Sequence, residues 1–252
     1  MQKLIFGNWK MNLSEPGAIA LAQATSKIKI DASAIKVAIF PTFTALPGVA
    51  AALKGTDVGL GGQDCFWETT GAFTGEVSPT QLKELGCTYV IIGHSERRQN
   101  LNETDEMVNR KLRSALSAGL TPVMCVGETD NDRRSGQWSN VIARQVAKGL
   151  ADVKVSGNQE IIIAYEPVWA IGSGRACAPE SAREAHALVR NAVIELFAPA
   201  LAKKNFRIIY GGSVDEKNIA SYLALEGIDG ALVGGASQRA ASFAGLIEAV
   251  QK

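Results

Sequence analysis

Short apolar runs rich in β-branched residues recur along the chain, and a turn and then helical periodicity follow each run. Such runs, without internal charge, are typical of parallel strands that are covered on both faces. The predicted strands are Leu4–Phe6, Val37–Phe40, Val58–Leu60, Tyr89–Ile92, Pro122–Val126, Ile161–Tyr165, Ile208–Tyr210 and Ala231–Val233. The predicted helices are Ala18–Ile28, Leu46–Leu53, Pro79–Leu85, Asp105–Ala118, Trp138–Leu150, Glu180–Phe197, Glu216–Leu223 and Ala240–Val250.

Strand and helix therefore alternate about eight times, with no low-complexity linker between them. This alternation predicts a closed (β/α)8 barrel of the α/β class that forms a single domain over residues 1–252. An open doubly wound sheet would show the same alternation and is the alternative on periodicity alone. At 252 residues and 46% hydrophobic composition, the chain is large enough for one such core.

Composition excludes several classes of partner. A formal net charge of +1 and the lack of long basic runs argue against binding to nucleic acid or to an anionic membrane. The first strand begins close to Met1, and no apolar run approaches the ~20 residues of a spanning helix. We therefore expect a cytoplasmic protein with no signal peptide and no membrane segment.

Cysteine and histidine are too sparse and scattered for a disulfide framework or a metal centre. The four cysteines show no C-x-x-C spacing, and His94 and His186 are the only histidines. We expect free thiols, no metal and no cofactor. His186 lies within the helical pattern of residues 180–197, where we expect it on a partly exposed face.

One segment combines a carboxylate with a loop of unusual composition. Glu166 directly follows the strand predicted at Ile161–Tyr165, Pro167 ends that strand, and Gly172 and Gly174 give the next residues backbone freedom. This pattern predicts a base beside a loop that can move and bind an anion. A solvated or capping glutamate is the alternative that the local pattern leaves open.

In a barrel of this kind, the residues that follow the strands share one mouth, at the carboxyl ends. The polar and glycine residues in these positions are Asn8, Lys10, His94, Ser95, Glu96, Glu166, Gly211, Gly212, Ser213, Gly234 and Gly235. The glycine turns after the last two strands offer unhindered backbone N–H groups where such barrels bind phosphate. We therefore expect a small phosphorylated substrate, although these glycines could instead serve only to close tight turns.

The order and spacing of several motifs resemble those of the triosephosphate isomerase family over essentially the whole chain. The matching segments are Phe6–Asn12, Gly71–Glu76, Val90–Arg98, Cys125–Glu128, Ala164–Gly174, Tyr210–Val214 and Leu232–Ser237. The resemblance implies a TIM barrel and an intramolecular aldose–ketose isomerase of glycolysis and gluconeogenesis. Its implied reaction interconverts dihydroxyacetone phosphate and D-glyceraldehyde 3-phosphate by proton transfer through an enediolate.

The same resemblance implies a role for each polar residue of the mouth. Glu166 is the base that moves the proton between carbons, and His94 is a neutral donor that polarises the carbonyl group. In this family a helix N-terminus lowers the pKa of the histidine, so the same is expected of His94. Lys10 supplies a cation beside the oxyanion and the phosphate, with Asn8 as its polar neighbour. Glu96 either handles protons or is a carboxylate stabilised at a helix N-terminus.

The resemblance also implies a mobile loop that closes over the phosphate and excludes water. Its residues are Pro167, Val168, Trp169, Ala170, Ile171, Gly172, Ser173, Gly174, Arg175, Ala176 and Cys177. Tyr210 and Ser213 are expected to latch it, and the phosphate is expected at Gly172, Ser173, Ser213, Gly234 and Gly235. The family's usual residues are threonine at position 173 and lysine at position 175. We expect these two differences to affect the rate of loop closure more than the chemical step.

The segment Gln63–Val77 resembles the long loop through which the family forms homodimers. Phe73, Thr74, Gly75 and Glu76 are the expected interface residues, and Thr74 is expected to reach the partner's mouth. Asp64 stands where asparagine is expected, so a buried, unpaired charge there would weaken the dimer. The sequence does not distinguish a dimer from a tetramer.

Two other classes of function are alternatives to the isomerase. A lysine-dependent aldolase would form a Schiff base on Lys10, which borohydride would trap in the presence of substrate. A barrel without turnover could act as a binding module, but every reacting position in the mouth is filled.

Overall fold

The computed structural model describes residues 2–172 and 177–251. Its eight strands are β1 (Lys3–Asn8), β2 (Ile35–Phe40), β3 (Val58–Gly62), β4 (Tyr89–Ile92), β5 (Thr121–Val126), β6 (Ile161–Tyr165), β7 (Phe206–Tyr210) and β8 (Gly230–Val233). Each strand pairs in parallel with its neighbours in chain order, and β8 pairs with β1 through Leu4 and Gly230. The sheet is therefore a closed barrel, and the prediction of a (β/α)8 fold is confirmed against the open sheet.

Helices surround the barrel and connect its strands. They are α1 (Glu15–Thr25), α2 (Leu46–Ala52), α3 (Pro79–Glu84), α4 (Ser95–Asn100), α5 (Asp105–Ser117), α6 (Asp130–Arg134), α7 (Trp138–Gly149), α8 (Pro179–Leu196), α9 (Pro199–Asn205), α10 (Ile219–Leu223) and α11 (Ala240–Gln251). Of these, α6 and α9 have no counterpart among the predicted helices, and α4 begins at Ser95, where the family resemblance implied a helix N-terminus beside His94. Helix α1 begins three residues before its prediction, because the Ser14 side chain caps it by accepting from the Gly17 amide.

The apolar side chains form two layers. Side chains that point into the barrel, including Phe6, Phe40 and Tyr89, make a compact interior cluster. Side chains of the opposite strand parity, such as Ile5, pack outward against the helices and form the larger core. The barrel is thus filled, and open space for a ligand is left at its mouth.

His186 is buried, so the prediction that it lies on a partly exposed face is wrong. It lies on the side of α8 that faces the barrel, against the rings of Tyr165 and Tyr210, and its Nδ1 lies 3.1 Å from the carbonyl oxygen of Gly227. Burial lowers the pKa of His186 to about 4. In residues 2–172 and 177–251, no helix combines the length and apolarity needed to cross a membrane.

Candidate active site

A cavity of about 350 Å³ opens at the carboxyl ends of the strands. Most of the residues predicted for the mouth line it, together with several that the sequence did not single out. The lining residues are Asn8, Lys10, Asn12, His94, Glu166, Ile171, Gly172, Gly211, Gly212, Ser213, Val214, Leu232, Gly234, Gly235, Ala236 and Gln238. The predicted convergence of the loops after β1, β4, β6, β7 and β8 is thus present in one pocket.

Glu166 is nearly inaccessible to solvent and is held at two points. Its Oε2 accepts a hydrogen bond from the Ser95 amide at 2.8 Å, and its Oε1 lies 2.9 Å from Nε2 of His94. A side chain at Gly127 would overlap the Glu166 carbonyl group, and one at Gly211 would press on its Cγ at 2.9 Å. The backbone around the carboxylate is therefore closely packed.

His94 donates and accepts through different ring nitrogens. The Glu96 amide, in the first turn of α4, donates to Nδ1 at 3.3 Å. Since Nδ1 is an acceptor, Nε2 carries the proton and points at the Glu166 carboxylate. Burial opposes charge on the ring, but Glu166 and then Glu96 outweigh it and raise the pKa of His94. A lowered pKa, the expectation from the helix N-terminus, is therefore wrong for this arrangement of the site.

The same contact acts on Glu166. Burial by itself would raise the pKa of Glu166, but the charge and the hydrogen bond of His94, together with the Ser95 N–H, lower it below its ordinary value. Glu166 is thus held as a carboxylate, the form that can accept a proton. The Cys125 thiol beside it is fully buried, and burial raises its pKa, so it is an unreactive packing group.

Lys10 is fixed in a strained conformation at the edge of the cavity. Its φ of 53° is uncommon for a residue with a side chain. Its amide donates to Oδ1 of Asn8 at 3.0 Å, and its carbonyl oxygen accepts from Nε2 of Gln63 at 2.7 Å. These contacts hold the backbone in place, which directs the ammonium group into the mouth.

Glu96 lies between the two predicted electrophiles. One of its oxygens is 2.6 Å from Nζ of Lys10, and the other is 3.6 Å from Nδ1 of His94. Its side chain is about half exposed, at 45%. Glu96 therefore contacts Lys10 and His94.

One wall of the cavity presents backbone N–H groups. Ser213 follows β7, and Gly234 and Gly235 follow β8, where Gly235 begins a short 3₁₀ turn. Within residues 2–172 and 177–251, the amides of these three residues have no hydrogen-bond acceptor. A side chain added at Gly235 would meet nothing within 4 Å. The wall thus offers free donors and the space for an anion.

The amino-terminal end of the predicted mobile loop is tied to Glu128. Val168–Ala170 forms a 3₁₀ turn, and Nε1 of Trp169 donates to Oε1 of Glu128 at 2.8 Å. The same oxygen accepts from the Tyr165 hydroxyl at 3.1 Å and from Arg133 at 3.0 Å. The loop positions Ser173, Gly174, Arg175 and Ala176 lie outside the described residues.

Comparison with known proteins agrees with this geometry. A family model described as triosephosphate isomerase matches residues 3–250. The chain belongs to the triosephosphate isomerase family. It is 48% identical to a triosephosphate isomerase of Pelobacter propionicus over 97% of each chain. It is also 46% identical to one of Geotalea uraniireducens over 97% of each chain, and 47% identical to one of Caldanaerobacter subterraneus over 97% of this chain and 98% of the other.

Asp64, which departs from the family pattern in the predicted dimer loop, is buried and paired with two cations. Asp64 lies 2.8 Å from Nζ of Lys111 and 2.8 Å from the Arg97 guanidinium. Glu103 completes the cluster with contacts of 2.7 Å to Lys111 and 2.6 Å to Arg97. The extra charge of Asp64 is therefore compensated within the chain, and the condition under which it would weaken a dimer is not met.

Three groups that organise this family member's site were missed by the sequence reasoning. They are the Ser95 amide, which holds Glu166; Gln63, which holds the Lys10 backbone; and Glu128, which holds Trp169. All three lie in segments that carry the family motifs or begin the predicted dimer loop. Their roles depend on contacts between distant strands, which local sequence patterns do not report.

Proposed function

We propose that this chain interconverts dihydroxyacetone phosphate and D-glyceraldehyde 3-phosphate by proton transfer through an enediolate, with Glu166 as the base. The observation that carries the proposal is the arrangement of a buried carboxylate 2.9 Å from a histidine donor, in one cavity with a lysine and an anion-binding wall. The reaction belongs to the intramolecular aldose–ketose isomerases of glycolysis and gluconeogenesis.

Glu166 has the position and the charge for proton abstraction. Its carboxylate rests on the Ser95 amide and His94, and a substrate carbonyl oxygen at Nε2 would take its place on the histidine. The freed oxygens then face the adjacent carbon, from which one carboxylate removes the proton and returns it to the neighbouring carbon. The buried surroundings keep water from competing for that proton.

His94 and Lys10 stabilise the charge that develops on the substrate oxygens. With Glu166 moved away, the interaction that most raises the pKa of His94 is lost, while the Glu96 amide still donates to Nδ1. The ring then acts as a neutral Nε2–H donor. Lys10 adds a fixed positive charge, and Asn8 and Glu96 position it.

The phosphate group is assigned to the amides of Ser213, Gly234 and Gly235, with Gly172 and Ser173 approaching from the loop. Free N–H groups at these strand ends, together with Lys10, suit a dianion. Loop residues 167–177 close over it, and Tyr210 and Ser213 latch the closed form. Closure protects the enediolate from losing phosphate by elimination.

The ion pair of Lys10 disfavours the aldolase alternative. A Schiff-base lysine must attack as an uncharged amine, whereas Nζ of Lys10 lies 2.6 Å from a Glu96 oxygen. An electrostatic role fits this contact better than a nucleophilic one. No feature of the described residues favours the binding-module class over an enzyme.

The test is conversion of dihydroxyacetone phosphate by the purified protein, followed with a coupled dehydrogenase. The Glu166→Gln variant should fold and lose turnover, because an amide cannot accept the proton. A matched control is Glu160→Gln at the opposite end of β6, where the carboxylate lies 3.7 Å from Arg207 and far from the cavity. Equal turnover in Glu166→Gln and Glu160→Gln would reject the assignment of the base.

A homodimer of single-domain chains in the cytoplasm completes the proposal. Met11 and Phe73 are large apolar side chains that are 89% and 43% exposed, and Phe73 lies in the predicted interface segment with Thr74, Gly75 and Glu76. A partner covering this surface would bury them. Sedimentation should give twice the chain mass for the native protein and the monomer mass for Phe73→Asp; a native monomer would reject the interface.

A further inference from the structure

We propose that Tyr222 is a positioning residue that anchors the carboxyl-terminal end of loop 167–177, and this inference rests on the proposed isomerase function. Tyr222 lies on α10 and is 2% exposed. Its hydroxyl donates to the carbonyl oxygen of Cys177 at 2.5 Å. Cys177 is the last residue of the loop, and Tyr222 lies 45 residues further along the chain. This long-range hydrogen bond thus links the end of the loop to α10.

The hydrogen bond lies where the loop joins helix α8. Cys177 is buried, Ala178 is the N-cap of α8, and Pro179 begins that helix. Among residues 2–172 and 177–251, only Tyr222 donates a hydrogen bond to the Cys177 carbonyl oxygen. Burial raises the pKa of Tyr222, which keeps its hydroxyl protonated and able to donate. Without this donor, a buried carbonyl group would be left unpaired.

A row of aromatic rings connects the Tyr222–Cys177 hydrogen bond to the other end of the loop. Tyr222 stacks on the predicted latch residue Tyr210, with ring centroids 4.3 Å apart and planes 13° apart. Tyr210 lies 6.5 Å from the ring of Tyr165, whose hydroxyl shares Glu128 with Trp169. The two ends of the loop are therefore attached to one packed block of side chains.

This arrangement gives Tyr222 two effects on closure. It holds the Cys177 backbone in place at the start of α8, and its ring holds Tyr210 in place for the proposed latching. Removal of the hydroxyl releases the Cys177 carbonyl group, so fewer molecules adopt the arrangement from which the loop closes. The apparent affinity for any ligand that needs closure falls by the same fraction.

Tyr222→Phe tests the proposal, because it removes only the hydroxyl and keeps the ring. Two substrates are compared: dihydroxyacetone phosphate, whose phosphate engages the loop, and glycolaldehyde, which has no phosphate and gains nothing from closure. We expect kcat/KM for the phosphorylated substrate to fall by about 5- to 20-fold, the factor that loss of one buried hydrogen bond produces. Turnover of glycolaldehyde should be unchanged, and release of 2-phosphoglycolate should accelerate by a similar factor.

The matched control is Tyr89→Phe, which removes a buried hydroxyl from the barrel interior away from the loop and should leave both substrates unaffected. Tyr222→Leu removes ring and hydroxyl together and must show the same selective loss if Tyr222→Phe does not fold. A Tyr222→Phe enzyme that matches the native one, or that loses activity equally on both substrates, would overturn the anchoring role. A native protein inactive on dihydroxyacetone phosphate would instead reject the isomerase function itself.

Discussion

Shortening the proposed base by one methylene group should separate chemistry from binding. The Glu166→Asp carboxylate would be drawn back by about 1.5 Å along the side chain. Its contacts of 2.8 Å to the Ser95 amide and 2.9 Å to His94 would then open to about 4 Å, beyond hydrogen-bond range. The carboxylate would also lie farther, by the same amount, from the substrate carbon from which the proton is taken.

A misplacement of about 1 Å costs roughly 10²-fold in rate. We therefore expect kcat of Glu166→Asp to fall by at least about 10²-fold, which corresponds to about 2.7 kcal/mol of transition-state stabilisation. Affinity for 2-phosphoglycolate should stay near the native value, because the anion is held by Lys10 and by the amides after β7 and β8.

The assay is steady-state conversion of dihydroxyacetone phosphate, with the inhibition constant of 2-phosphoglycolate measured on the same preparation. Glu160→Asp, at the opposite end of β6, is the control for the effect of shortening a glutamate on folding. Native-like kcat in Glu166→Asp would refute the assignment. A loss of inhibitor binding as large as the loss of kcat would show that Glu166 acts mainly in binding.

Three further predictions follow from charges in and near the site. Lys10→Met should reduce turnover and 2-phosphoglycolate affinity together, because one cation serves the oxyanion and the phosphate; unchanged affinity would make Lys10 structural. The NMR titration of His94 should give a pKa above 6.5 in the native protein and a lower one in Glu166→Gln, since the carboxylate is the largest interaction that raises it; no difference would contradict the electrostatic coupling of His94 to Glu166. His186 has a pKa of about 4 when folded and 6.5 when unfolded, so the unfolded chain binds more protons between these values. Stability should therefore fall by up to roughly 3 kcal/mol as pH drops from 6.5 to 4, and His186→Gln should show a shallower fall in urea unfolding.

The strands were predictable from sequence because each is a buried run of apolar residues with sharp ends. The helices that were missed lack a comparable signal: α6 (Asp130–Arg134) has no buried residue, and α9 (Pro199–Asn205) is a short segment directly after α8. The burial of His186 can be predicted from helical spacing. His186 continues the spacing of Ala182, Val189 and Val193, which marks the buried stripe of that helix.

For the site, the sequence located the residues but not the contacts between them. Glu166, His94 and Lys10 were found because barrel strands end at one mouth, and this rule needs no distances. The hydrogen bond from the Ser95 amide to Glu166 joins residues 71 positions apart, and that from Tyr222 to Cys177 joins residues 45 apart. Such contacts follow from strand register and helix packing, which the pattern of apolar and polar residues along the sequence does not predict.

The central claim is that Glu166 removes a proton from carbon next to an activated carbonyl group. Its most direct test is incubation of dihydroxyacetone phosphate with the protein in D2O, with NMR detection of deuterium at the carbon that carries the transferred hydrogen. We expect deuterium there with the native protein and with Glu160→Gln, and none above background with Glu166→Gln. Conversion without any deuterium from the solvent, or equal labelling by Glu166→Gln, would contradict it.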